Sequence, residues 1–149
     1  MRGMECKGIE ELVDDGRTLA IIVRSTFEQN GIRFFTPDAF SQQLAYMNRP
    51  AGYVIEPHVH NPVPRAVSYT QEVLLIKRGR LRVDLYTPAQ VYVKSRILEA
   101  GDLILLATGG HGFEVLEEIE MIEVKQGPFV GNHDKTRFAG ISREQAREE

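Results

Sequence analysis

Short apolar or alternating runs, broken by Gly, Pro, Asn and Asp, dominate the chain from residue 19 to residue 126. Alternation of apolar and polar positions predicts strands with one buried face, and short unbroken apolar runs predict strands that are buried on both faces. Turns at intervals of roughly 8 to 12 residues then favour an all-β sandwich or barrel. The predicted strands are Leu19–Arg24, Ile32–Phe35, Gln43–Met47, Tyr53–Glu56, Val73–Lys77, Leu81–Tyr86, Val91–Leu98, Leu103–Leu106, Phe113–Leu116 and Glu120–Gln126. Of these, Gln43–Met47 is equally compatible with a single helical turn.

Helical periodicity is scarce outside two short terminal segments. Ile9–Gly16 is expected to form one N-terminal helical turn, and Ser142–Glu149 one C-terminal turn in a solvated tail. The last two predicted strands are expected to form a closing hairpin around Glu117-Glu118.

In Val73–Ile76 both strand faces are apolar, which predicts a barrel interior on one side and a second sheet or another subunit on the other. A homodimer satisfies this pattern, and so does a second sheet of the same chain.

The length of 149 residues suits one domain, with N-terminal strands (1–51), a central region that carries the candidate chemistry (52–127) and a C-terminal tail (128–149). Apolar residues make up 42% and charged residues 26%, as in typical globular proteins. The net charge of −3, with both signs mixed, provides no basic patch for nucleic acid. The single cysteine, Cys6, excludes an internal disulfide. Without a signal-like or membrane-spanning apolar run, we expect a cytoplasmic protein that binds no membrane.

Two of the four histidines, His58 and His60, stand two positions apart in a segment that is expected to be extended. Residues i and i+2 of a strand project from the same face, so both imidazoles can reach one ion. A strand that starts at Glu72 can bring a carboxylate beside them, and His111, at the turn before another strand, can complete the set. Three imidazoles and one carboxylate suit one divalent transition metal ion, and ligand type alone is compatible with Fe, Mn, Ni, Co, Cu or Zn. An isolated His-x-His is equally compatible with a solvent-exposed pair on a strand.

The spacing of these residues resembles the two motifs of the cupin superfamily. The first motif, Gly-x5-His-x-His followed by Glu-x6-Gly, is matched by Gly52, His58, His60, Glu72 and Gly79. The second motif, Gly-x5-Pro-x-Gly-x2-His, is matched by Gly101, Gly109 and His111. The resemblance implies a single-domain, jelly-roll-like β-barrel that holds its metal ion inside one end, with the three histidines and Glu72 as ligands.

The chain departs from the cupin pattern at two places. The spacer between His60 and Glu72 has eleven residues, where the family has three or four. The second motif has Ala107 in place of proline, and its histidine arrives one residue early. The long spacer leaves Glu56 as an alternative carboxylate ligand, because it shares strand parity with His58 and His60. Only Glu72 has a glycine at the distance that the motif requires.

Five further residues are candidates for the cavity around the ion. Arg65 lies in the proline-stiffened spacer, and its paired donors suit a substrate carboxylate or phosphate, although a plain surface loop explains it as well. Glu123 and Lys125 alternate with apolar residues on the last strand, and they become catalytic acid–base candidates if those apolar residues face a second sheet. The reverse orientation places both charges in water. Tyr46 and Arg49 precede the first motif and are candidates for substrate binding at the same mouth.

The resemblance implies a metal-dependent enzyme that acts on a small polar substrate, such as a carbohydrate or sugar derivative, by isomerase or epimerase chemistry. The ion would polarise a carbonyl or hydroxyl while a carboxylate of the cavity moves a proton. Small single-domain cupins of bacteria, some of them linked to surface-carbohydrate metabolism, are similar in organisation. An Fe(II) dioxygenase and a non-catalytic module that binds a metal or a small molecule remain alternatives, because a fold hosts many functions.

Overall fold

The computed structural model of the chain describes residues 7–148, so Cys6 lies outside the described residues. The described part is mostly β structure with almost no helix. Two 3-10 turns, Gly131–Asp134 and Arg143–Gln145, follow the last strand. The strands are β1 (Ile9–Asp14), β2 (Arg17–Val23), β3 (Gly31–Phe34), β4 (Ala45–Asn48), β5 (Glu72–Tyr86), β6 (Tyr92–Glu99), β7 (Leu103–Leu106) and β8 (Gly110–Lys125).

Strand β5 is the centre of the main sheet, which has the order β1-β2-β7-β5-β6 with β8 paired to β5. All of these pairs are antiparallel. The first half of β5 lies between β7 and β8, and its second half lies between β6 and β8. Strands β3 and β4 form a separate hairpin. The two long strands β5 and β8 therefore form a continuous ribbon that runs through both halves of the sheet.

This ribbon curls back on itself. Glu72 pairs with Lys125 at one end of the ribbon, and Leu85 pairs with His111 near the other. A straight strand would separate these two ends by about 40 Å at roughly 3.3 Å per residue. The Glu72 Oε2 and His111 Nε2 atoms are nevertheless 3.1 Å apart. The sheet is therefore a strongly curled half-barrel whose ribbon ends meet.

The sharpest part of the curl lies around Gly79. The register between β5 and β8 shifts three times between Ile76 and Leu81, and such irregularities bend a strand and increase its twist. Gly79 has φ +91°, and a Cβ atom built there would lie 2.0 Å from the carbonyl oxygen of Glu118. Only glycine therefore lets β5 pass so close to β8 at the bend.

The inner face of the half-barrel carries the core, and it is open along the N-terminal half of β8. Phe113 and Val115 lie opposite Val83 and Leu81, so all four side chains share the inner face. Phe113 is 39% and Val115 52% exposed, whereas their partners on β5 are fully buried. Within residues 7–148, β8 pairs only with β5, which leaves its other edge free. The buried core residues are Leu12, Leu19, Ala20, Ile22, Leu74, Ile76, Leu81, Val83, Leu85, Leu98, Ile104 and Leu106.

The C-terminal tail packs against the sheet up to Arg147 instead of being fully solvated as expected. The Phe138 ring meets the Tyr86 ring edge to face at 5.0 Å between centroids. Near the end of the tail, the Ser95 backbone N–H donates to the Arg147 carbonyl at 2.8 Å, and the Arg147 N–H donates to the Tyr92 hydroxyl at 2.7 Å. The tail therefore covers the edge of β6 at this point. The helical turn expected at Ser142–Glu149 is reduced to the short 3-10 turn.

The N-terminal helical turn predicted over Ile9–Gly16 is wrong. Residues Ile9–Asp14 form strand β1, which pairs with β2 in a hairpin. Asp15 and Gly16 connect the two strands with φ values of 45° and 70°. Two successive positive φ angles characterise the tight hairpin turn that Asp-Gly favours. The dipeptide was therefore the signal for this hairpin.

Three predictions for the central and last strands are also corrected. The closing hairpin around Glu117-Glu118 does not form, because β8 continues through these residues and their carboxylates pair with arginines of β5. Arg78 lies 2.9 Å from Glu118 and Arg80 lies 3.3 Å from Glu117. The segments on either side of Gly79 likewise form one strand instead of two. The predicted strand Tyr53–Glu56 is irregular and exposed.

Substitution of Gly79 by Ala should lower the free energy of unfolding by at least about 3 kcal/mol, because the methyl group meets the Glu118 carbonyl and φ is positive. Gly16→Ala is the matched control, since Gly16 has φ +70° and its added Cβ meets nothing within 4 Å. The control substitution should lower the free energy of unfolding by about 1 kcal/mol. Urea denaturation followed by circular dichroism measures both values. Equal losses of stability in Gly79→Ala and Gly16→Ala would show that the close approach of β5 to β8 at the bend does not constrain the fold.

Candidate metal centre

The curl of the ribbon places Glu72 and His111 in direct contact. The His111 Nε2 atom lies 3.1 Å from Glu72 Oε2, and the side chains are 31% and 11% exposed. Glu72 begins β5 and His111 lies at the start of β8, so the two ends of the ribbon each contribute one residue. Both line a cavity of about 480 Å³ together with Thr108, Phe113 and residues of the C-terminal segment. The structure thus brings together two of the four residues that the sequence predicts as metal ligands.

One lysine, Lys125, lies near the other oxygen of Glu72. Lys125 Nζ lies 3.9 Å from Glu72 Oε1 and 3.5 Å from Asp134 Oδ2. The hydrogen bond with His111 lowers the pKa of Glu72 below its ordinary value of 4.5, and the positive charges of Lys125 and Lys135 act in the same direction, whereas burial opposes them. Glu72 is therefore a carboxylate at neutral pH, the protonation state that metal ligation requires.

His58 and His60 form a second pair on the segment between β4 and β5. Their ring centroids are 5.2 Å apart and the rings meet edge to face. His58 Nδ1 lies 3.0 Å from the backbone carbonyl oxygen of Glu56. All three residues are exposed. The two imidazoles are therefore close enough to act together, as the spacing predicts, but the segment lies in solvent.

The two pairs do not converge within this single chain. No group of three or more His, Cys, Asp and Glu side chains that could hold a metal ion occurs in the described residues 7–148. The donor types, three imidazoles and one carboxylate, nevertheless fit a divalent transition metal. Glu72 contacts His111, whereas the described residues show no contact between the alternative carboxylate, Glu56, and that pair. The four-residue ligand set therefore stays a prediction, and the structure divides it into two half-sites.

Glu123 and Lys125 occupy the inner face of β8. Glu123 lies opposite Leu74 and Lys125 lies opposite Glu72, and both partners are buried on the core side of β5. The intervening Val124 is 56% exposed on the other face. Lys125 lines a groove next to the Glu72–His111 cavity, whereas Glu123 shares this face but is exposed. Whether they carry out catalysis stays a prediction.

The three predicted substrate-binding residues lie in different surroundings. Arg65 lines a groove of about 850 Å³ that also includes Lys125 and Asp134, next to the cavity of the Glu72–His111 pair. Tyr46 packs its ring edge to face on Phe27 at 4.9 Å, in the hairpin of β3 and β4. The described contacts of Tyr46 do not join it to the cavity.

Arg49, the third of these residues, stacks on an aromatic ring instead of lining the cavity. Its guanidinium lies over the Tyr53 ring at 4.6 Å from the centroid. Both residues are exposed at the start of the segment that carries His58. A role for Arg49 in substrate binding stays a prediction.

Asp134 and Thr70 are residues of this region that sequence reasoning missed. Thr70 Oγ1 donates to Asp134 Oδ2 at 3.3 Å, and Lys125 approaches the same oxygen. The other oxygen, Asp134 Oδ1, is buried without a hydrogen-bond partner among the described residues. Its neighbour His133 is exposed. Asp134 lies in the C-terminal segment, where no motif or periodicity marks it as part of a site.

Comparison with other proteins adds no assignment. No protein-family model matches the chain, and no curated protein or solved structure shows significant similarity to it. Within residues 7–148, no helix is long and apolar enough to cross a membrane. The reading of the site therefore rests on its geometry and on the motif spacing.

Replacement of Glu72 by Gln should lower the free energy of unfolding of the metal-free protein at pH 7 by about 1.5 kcal/mol, because the charged hydrogen bond to His111 is lost. The folded-state pKa of Glu72 lies below 4.5, so its contribution is present above that pH and disappears as the pH falls through the folded-state value. The difference in the free energy of unfolding between the wild type and the Glu72→Gln variant should therefore disappear at acidic pH. Urea midpoints between pH 3 and pH 7, with EDTA present, measure it.

Glu118→Gln serves as the control for this titration, because the Glu118 side chain is 83% exposed in its pair with Arg78. Exposed pairs contribute little to stability, so this variant should follow the wild type at every pH. A stability difference between Glu72→Gln and the wild type that stays constant down to pH 3 would contradict the assignment to the charged Glu72–His111 hydrogen bond.

Proposed function

We propose that the chain is a metal-dependent cupin-type enzyme that acts on a small polar substrate, with sugar derivatives as the substrate class and isomerisation or epimerisation as the reaction. The observation that carries this proposal is the contact between Glu72 and His111. These residues are distant in sequence, and the motif spacing predicts both as ligands of one ion. A jelly-roll-like barrel is supported by the way β5 and β8 each contribute to both halves of the curled sheet.

His58, His60, Glu72 and His111 would hold the ion, which supplies a Lewis acid that polarises a carbonyl or hydroxyl of the substrate. The chain's own residues would do the rest. Glu123 is suited to take a proton from a substrate carbon, because it is an exposed carboxylate on the inner side of β8, two residues from Lys125. Lys125, held between Glu72 and Asp134, is suited to return a proton or to bind a substrate oxygen.

Arg65 is suited to bind an anionic part of the substrate at the mouth of the cavity. It lines the groove that shares Lys125 and Asp134 with the surroundings of Glu72. A guanidinium binds a carboxylate or phosphate through two parallel hydrogen bonds, so Arg65 would orient the substrate without taking part in proton transfer. This role fits a sugar derivative that carries a negative charge.

Elemental analysis of the purified protein should find about one divalent transition metal ion per chain. His58→Ala and Glu72→Ala should each lose most of the metal, whereas His133→Ala, which changes an exposed histidine elsewhere, should keep it. Glu56→Ala should also keep it. Loss of metal in the Glu56 variant with retention in the Glu72 variant would reverse the carboxylate assignment, and a wild-type protein without metal would overturn the proposed class.

Proton transfer predicts exchange of substrate hydrogen with solvent. The metal-loaded protein in D₂O, with a panel of aldoses, ketoses and their phosphates, should incorporate deuterium at a carbon beside the carbonyl, as followed by NMR. Glu123→Gln should slow this exchange at least about 100-fold without changing the metal content. Glu120→Gln is the matched control on the same strand, since Glu120 pairs with Lys77 on the surface. If the Fe(II)-loaded protein consumes oxygen and shows no deuterium exchange, the proposed isomerase activity is wrong and a dioxygenase activity is favoured.

A further inference from the structure

A continuous stretch of 21 residues, 49–69, is exposed at every position, and we call it the arm. Long segments without secondary structure are uncommon in compact domains unless they have a function. Residues 54–70 make no backbone hydrogen bond with any strand of the described chain. The large apolar side chains of the arm are Tyr53, Val54, Ile55, Val59, Val63, Val67 and Tyr69. Such a set of exposed apolar residues marks an interaction surface.

The arm is fastened at both ends, so its root has a defined position. Asn48, at its start, pairs with Gly31 in the hairpin of β3 and β4. At its end, the Gln71 side-chain oxygen accepts hydrogen bonds from the Ser41 hydroxyl at 3.2 Å and from the Gln42 backbone N–H at 3.0 Å. The arm is therefore a projecting element with fixed ends, and not a chain terminus.

The N-terminal half of β8 is flanked by the C-terminal segment, which lines one cavity with His111 and Phe113, but its outer edge has no strand partner among the described residues. Its edge is free within the described chain, and the inner-face side chains of Phe113 and Val115 are partly exposed. An extended segment that pairs with a free strand edge gains backbone hydrogen bonds, and alternate side chains then cover the open face. His111 lies on this half of β8, in contact with Glu72. An arm bound here would bring its histidines to the half-site that lacks them.

The return half of the arm runs along the chain's own C-terminal segment. Val63, Arg65 and Val67 line the same groove as Gln126–Val130. Only Asn61 and Pro62 separate this part from His60. Prolines in this part of the arm fix φ and remove backbone donors, which keeps it extended. In this position His58 and His60 are exposed, and within the described residues they do not group with the chain's own Glu72 and His111.

We propose that the arm of one subunit binds along the free edge of β8 in a second copy of the chain, so that His58 and His60 complete a metal site with the other subunit's Glu72 and His111. The proposal rests on the proposed function, because it takes these four residues as ligands of one ion. A reciprocal exchange of arms gives a two-fold symmetric dimer with two sites, each built from both subunits.

Mixed dimers of two inactive variants test the exchange directly. One variant carries His58→Ala with His60→Ala and lacks the arm ligands, and the other carries Glu72→Gln with His111→Asn and lacks the half-barrel ligands. Each alone should bind no metal. Co-refolded in equal amounts, they should regain about one quarter of the wild-type metal, because half of the dimers are mixed and each mixed dimer has one complete site. Mixed dimers isolated with two different affinity tags should hold about one ion each.

The outcomes separate this proposal from the proposed function. A wild-type protein that binds metal, with no metal in isolated mixed dimers, would show that each site forms within one subunit, and it would overturn the exchange alone. A wild-type protein without metal would overturn both. Recovery of metal in the mixed dimers supports the exchange, because no single chain in them holds all four ligands.

The oligomeric state provides a measurement that is independent of metal. Light scattering should show a dimer for the wild type, and Ile55→Asp with Val59→Asp should raise its dissociation constant at least about 10-fold, because charges replace buried apolar contacts. Val91→Asp is the matched control, since Val91 is 60% exposed in the turn before β6 and lies outside the arm. A monomeric wild type, or equal weakening by the control, would overturn the exchange.

Discussion

The close passage of β5 against β8 at Gly79 is the constraint on which the rest of the molecule depends. Here a side chain would collide with the Glu118 backbone, and the register slips repeatedly as the ribbon bends. Without this bend the two ends of β5 would lie far apart, and the apolar inner face could not close on itself. The same curl produces the Glu72–His111 contact. Core closure and site assembly are thus consequences of one backbone feature.

Much of the β structure could be predicted from local patterns, and the errors at Gly79 and at Glu117-Glu118 share one physical origin. The apolar runs of β2 and β7 identify buried strands because most of their side chains face the core. At Gly79 and at Glu117-Glu118, glycine and charge resemble a turn, although the strands continue. The arginines and glutamates of this region pair across β5 and β8, a stabilisation that depends on a partner distant in sequence. Local pattern cannot distinguish a turn from a bend in a continuous strand.

The candidate site was predictable to the extent that spacing alone determines it. The rings of His58 and His60 lie 5.2 Å apart although their segment is irregular and not a strand, and the motif spacing selects Glu72 and His111, which meet across the curl. The relation between the two pairs depends on where a long exposed segment binds, and no local pattern encodes that. Asp134 escaped notice because a carboxylate in an irregular tail has no periodic context. Its position becomes informative only when the tail is folded back beside Lys125.

The contact of the C-terminal tail with β6 limits where another chain can attach. In the second half of β5 the sheet has only three strands, β6, β5 and β8, and therefore two outer edges. The backbone of Arg147 occupies one of them through its hydrogen bond with Ser95. An unprotected pair of edges would permit head-to-tail growth into an open fibre, whereas one blocked edge leaves a single place for strand addition. Within the described residues, the tail thus leaves one edge of this part of the sheet, that of β8, without a backbone partner.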